Sequence, residues 1–124
     1  MSRKSLGKRF KIPLYNREVL VYFCEADAKK EIPLLEEDEK GFSGYVETVR
    51  DDDGNHAILL VFRSLEDATI ECIAHESTHL AMITLDIAGV PINFDNQEAV
   101  AYLVGYCSMR LADIVNKQQE VENK

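Results

Sequence analysis

The sequence predicts an α+β domain, a small antiparallel β-sheet of about three strands packed on two long antiparallel helices. Three observations carry that expectation. The first half holds short β-branched and aromatic runs parted by Gly and Asp clusters. From Ser64 onward apolar residues recur at helical spacing. Strands also precede helices instead of alternating with them. The length, 124 residues, suits one core, whereas two independent halves would each be marginal, so a single domain over 1–124 is expected.

Residues 19–24 (VLVYFC) read as the first strand. The charged stretch 25–40, with Glu36, Glu37, Asp38 and Glu39, reads as a solvated helix or loop. Gly41 and Gly44 bracket a turn. Beyond it, 44–50 (GYVETVR) and 56–63 (HAILLVFR) flank Asp51-Asp52-Asp53-Gly54-Asn55, and Asp-Gly in such a gap predicts a β-hairpin. The second hairpin strand is almost continuously apolar, as in a strand buried on both faces or covered by a helix.

Ser64 with Asp67 approximates a capping box, and Glu66 and Asp67 suit the positive end of a helix dipole. Apolar residues follow at Ile70, Ile73, Ala74, Leu80, Ala81 and Leu85, predicting a helix over 65–87 that ends at Gly89 and Pro91. Asp95-Asn96-Gln97-Glu98 repeats the capping-box spacing and opens a second helix over 96–116, with Ala101, Leu103, Val104, Leu111 and Ile114. The polar end, 117–124, is expected to fray. Residues 1–17 carry Arg3, Lys4, Lys8, Arg9, Lys11 and Arg17 without an acid and read as a solvated basic arm.

Charge and composition exclude several function classes. Against 14 Lys+Arg stand 22 Asp+Glu, a net charge of −8, which argues against nucleic acid or an anionic membrane as the partner. The apolar runs fall far short of the roughly 20 residues of a membrane span. The basic start lacks the apolar core of a signal peptide, so a cytoplasmic protein is expected. Cys24, Cys72 and Cys107 are an odd set without CxxC spacing and read as reduced, buried thiols.

Within the first long helix lies His75-Glu76-Ser77-Thr78-His79, an HExxH motif. At about 100° per residue, His75 and His79 share one face and Glu76 lies beside them, a spacing that suits zinc with a carboxylate next to its water. Eighteen residues separate His79 from Glu98, giving HExxH-x18-E, with Glu98 in the first turn of the returning helix. A catalytic zinc needs a third protein ligand and an open position, and Glu98 offers an oxygen donor. The same carboxylate could instead close the capping box. Asp95 is its main rival as ligand, while Asp86 and Asp113 are weaker ones. Cys72, one turn before His75, reads as a small buried residue, although a thiolate there would close the site and make it structural.

The motif resembles that of the gluzincin zinc metallopeptidases, two histidines of HExxH plus a glutamate on the following helix. HESTH is similar to the HELTH-type sequence of thermolysin-like enzymes, and the x18 gap to that of the larger aminopeptidases of the group. NQEAVAYLVGY looks like a segment of small zinc peptidases encoded by phages and prophages. The resemblance covers about 64–110. It implies a hydrolase of peptide or protein substrates, zinc as cofactor, His75, His79 and Glu98 as its ligands, and Glu76 as catalytic base. It also implies that strand 56–62 is the edge strand against which an extended substrate pairs. In thermolysin-like enzymes an acidic residue stands four beyond the ligand glutamate, where this chain has Tyr102. At 124 residues no second domain is expected to wall the cleft, which would then be either open or completed by a second copy of the chain.

For the oxyanion, Tyr102 and Tyr106, one and two turns beyond Glu98, are candidate donors beside Arg63 and His56. Packing is the alternative role of the two tyrosines, since AYLVGY is apolar. Two further readings stay open: a non-catalytic metal-binding or protein-interaction module held by the same motif, and a metal-free helical hairpin on a sheet.

Overall fold

The computed structural model describes residues 6–32, 43–50 and 54–123. Along the chain run β1 (Lys8–Ile12), β2 (Arg17–Tyr22), α1 (Glu25–Glu31), β3 (Gly44–Arg50), β4 (His56–Phe62), α2 (Ile70–Ile87) and α3 (Gln97–Glu122), the last entered through a 3-10 turn, Phe94–Asn96. The class is α+β as expected. The acidic run Glu36–Glu39 and the tripeptide Asp51–Asp53 lie outside the described residues.

The sheet has four strands in the order β1-β2-β4-β3. The predicted hairpin is formed, with β3 antiparallel to β4 from Gly44 opposite Phe62 to Arg50 opposite His56. Gly54 takes the left-handed conformation, φ 82°, that the turn requires. Two features differ from the expected antiparallel sheet. β2 runs parallel to β4, Val19 opposite Ile58 and Tyr22 opposite Val61. Strand β4 is therefore central, not the edge strand that the resemblance implied. Its unbroken burial from Ala57 to Phe62 is the reason, because both of its faces are covered.

Ile58, Leu60 and Phe62 point, with Val19 and Val21, into the main core beneath α2 and α3, while Leu59 and Val61 join Leu20, Tyr22 and Ala28 of α1 on the other face. Helix α1 is thus a third layer, fixed where the Tyr22 hydroxyl donates to Glu31 at 2.6 Å.

The basic arm is also a correction. Lys8–Ile12 forms an edge strand antiparallel to β2, with Phe10 and Ile12 buried and Lys8, Arg9 and Lys11 exposed. Alternation places the two apolar side chains on the core face and leaves the cations to solvent, one of them paired, Arg9 to Glu18 at 2.7 Å. Phe10→Ala should therefore cost about 3 kcal/mol in urea unfolding; a frayed arm would show no change.

Helix α2 begins five residues later than predicted. The Ser64–Asp67 pair exists, but Arg63 reaches forward to Asp67 at 3.0 Å and residues 63–67 close a separate turn, so the helix is capped by Thr69, whose Oγ1 accepts from the Cys72 amide. Its end falls where predicted. Gly89 at φ 75° completes a Schellman motif in which its amide donates to Asp86 and that of Val90 to Leu85.

Helix α3 starts after an Asn93 cap, Oδ1 accepting from the Asn96 amide, in place of the expected Asp95/Glu98 box. It continues through the tail predicted to fray. Lys117 pairs with Asp113 at 3.1 Å, Val115 is buried, and Gln118 and Glu122 border a cavity beside Phe23 and Leu65. No described helix is long and apolar enough to cross a membrane.

Candidate active site

Helix α2 and strand β3 enclose a cleft of about 570 Å³, open to solvent. Their close approach depends on Gly44. A Cβ at that position would stand 3.2 Å from the Val61 carbonyl oxygen and 3.4 Å from Cys72 Sγ, so the missing side chain lets the first turn of α2 settle on the strand. Cys72 accordingly faces β3 and the cleft rather than only the helix interface expected from the sequence. Burial, then the carboxylates of Glu76, Asp67 and Glu71, push its thiol up to about 11, so it is a protonated thiol at neutral pH.

The three HExxH side chains converge here. His75 and His79 are exposed on adjacent turns with Nε2 atoms 3.2 Å apart and rings edge-to-face. Glu76, by contrast, is 4% exposed. Its Oε1 lies 3.8 Å from His75 Nε2, and its Oε2 is buried without a hydrogen-bond partner. Burial raises the carboxyl pKa above the ordinary glutamate value, and His75 and His79 pull it back down. A carboxylate shielded from water and left half unpartnered is costly to the fold and available to chemistry.

These residues can be tested for fit to zinc. Bonds of about 2.0–2.1 Å at a tetrahedral angle set two imidazole nitrogens about 3.3 Å apart, close to the separation of the His75/His79 pair. An N–H···N hydrogen bond spans the same distance, so the pair alone fits either use. The third ligand is not assembled. Among the described residues no group of three His, Cys, Asp or Glu side chains is gathered as a metal would need. Glu98 stands exposed in the first turn of α3 and, among the described residues, has no hydrogen bond and joins neither the imidazoles nor a cap. Its rivals are no nearer a role: Asp86 and Asp95 are exposed, and Asp113 pairs with Lys117.

None of the four candidate oxyanion donors lines the cleft. Tyr106 sits at the opposite edge of the sheet, donating to the Lys11 carbonyl at 3.2 Å and packing on Phe10, so packing describes it well. Tyr102 is 56% exposed on α3. Arg63 is bound to Asp67, and His56 lies exposed at the start of β4. The sequence reading missed Ser43, Thr69 and Glu71, which border the cleft. Thr69 carried a legible signal, a cap residue directly before the apolar run, but Ser64 offered the same signal earlier. Comparison of the chain with family models, curated proteins and solved structures finds no match.

Proposed function

We propose that the protein is a zinc-dependent peptidase whose cleft between α2 and β3 hydrolyses a peptide bond. The observation that carries this reading is Glu76, a buried carboxylate with a free Oε2, seated beside two imidazoles whose nitrogens stand at the spacing of zinc ligands. His75 and His79 would hold the metal, with Glu98 of α3 the candidate for the third position by its resemblance to the gluzincin pattern.

When bound, zinc lowers the pKa of a water toward about 7 and polarises the scissile carbonyl. The work of the chain falls to Glu76. Its Oε2 accepts a proton from the attacking water as the new C–O bond forms, then returns it to the amine as the C–N bond breaks, so one water is consumed and an acid and an amine are released. A carboxyl pKa raised by burial suits both halves of that transfer. The substrate chain would lie along β3, which lines the cleft, and not along β4.

The test is zinc binding by the purified full chain, followed by calorimetry after removal of metal and reconstitution. We expect about one zinc per chain, loss of binding in His75→Ala, and a weakening of about 10–100-fold in Glu98→Ala, with casein cleavage only in the loaded protein. A chain that takes up no zinc sinks the proposal. Zinc uptake with a Glu98→Ala affinity equal to wild type removes Glu98 from the ligand set.

A further inference from the structure

Along the cleft face of α2 four residues follow at intervals of four: Glu71, His75, His79 and Ile83. Residues at that spacing are neighbours about 5–6 Å apart at Cβ, so the cleft changes character along its length. At the start of α2 it is bordered by Glu71, Thr69 and Ser43; at the far end Ile83 is apolar. No Lys or Arg borders it among the described residues. Arg63, just before α2, is engaged by Asp67 through Nε at 3.0 Å and Nη2 at 3.3 Å. Glu71 is exposed and has no ion-pair partner among the described residues. The second carboxylate of the cleft, Glu76, is buried and leaves Oε2 without a hydrogen bond.

Apart from the zinc that His75 and His79 would hold, the described residues give the cleft two carboxylates and no Lys or Arg, so its Glu71 end favours an ammonium or guanidinium group over a carboxylate or phosphate. We infer that the cleft selects polypeptide segments carrying Lys or Arg beside the bond to be cut, with Glu71 receiving the basic side chain. The inference rests on the reading of this cleft as a peptide-hydrolysing site.

The experiment uses two pools of fluorescein-labelled short peptides, randomised except for one fixed central position, Lys in one pool and Glu in the other. Binding to the zinc-loaded full chain bearing Glu76→Gln is followed by anisotropy, and cleavage by the zinc-loaded wild type by mass spectrometry. The Lys pool should bind about tenfold more tightly at low salt, and the preference should vanish at high salt and on adding Glu71→Gln. Equal binding of the two pools, binding of neither, or a Lys preference that survives Glu71→Gln overturns the inference. A Lys preference in binding with no cleavage of either pool upholds the recognition and refutes the peptidase reading. Equal cleavage of both pools does the reverse.

Discussion

Glu76→Gln is expected to lower peptide hydrolysis by about 10²–10⁴-fold while leaving zinc binding intact, because it removes the proton acceptor and keeps the shape of the side chain. In the metal-free protein the same substitution should raise stability at neutral pH. Burial holds the folded-state pKa of Glu76 above its unfolded value, against the opposing pull of His75 and His79. Its contribution to stability is then fully present below the unfolded pKa, about 4.3, and is lost as pH rises through the folded pKa. Gln carries no such dependence. Wild type and variant should therefore unfold alike in acid and separate as pH climbs, the variant melting about 3–6 °C higher at neutral pH when scanned with a chelator present. An apo melting temperature that falls on substitution would mean that Glu76 is a satisfied core carboxylate, and would remove the main support for a catalytic role.

Phe62→Ala should be the most damaging single change in the fold. Phe62 ends β4, is completely buried, and stacks on Phe23 with centroids 5.6 Å apart and planes within 12°. It also lies under Gly44, where β3 meets α2. Truncation should cost about 3–5 kcal/mol, a large share of the roughly 5–15 kcal/mol that holds a domain together. Phe62→Leu, which keeps most of the volume, should cost under about 1.5 kcal/mol. Urea unfolding followed by circular dichroism reads both; equal losses in the two variants would show that the aromatic ring, not the filled volume, is what the site requires.

Local chemistry made part of this fold legible. Asp53-Gly54 between two strand-like runs marks the β3–β4 hairpin, and Gly89 with Pro91 marks the end of α2, since both signals act over a few residues. The start of α2 was obscured because Ser64, Arg63 and Asp67 satisfy one another in a turn of their own, leaving Thr69 to cap the helix. Strand β1 was obscured because only Phe10 and Ile12 are buried and three cations surround them. The parallel pairing of β2 with β4 has no local signature, being decided by what each strand must cover. Yet the apolar run from Ala57 to Phe62 already described a strand closed on both faces, and it outweighed the resemblance that placed 56–62 at an edge. In the site, the HExxH spacing alone brings His75, Glu76 and His79 together, because one helix carries all three. Glu98 and the tyrosines are on a different helix, where spacing says nothing about direction. Tyr106 accordingly turned out to hold β1 instead of facing the cleft.

The insertion of β4 between β2 and β3 also sets an order of assembly. The β1–β2 and β3–β4 pairs are each joined within a short stretch of chain, so they can form early and independently. Within the sheet, only the seam from Val19 against Ile58 to Tyr22 against Val61 requires closure of a long loop, with α1 caught inside it. On loop-closure grounds assembly of the sheet should then comprise two quick local events and one slower docking, with the cleft on the half that holds β3, β4 and α2.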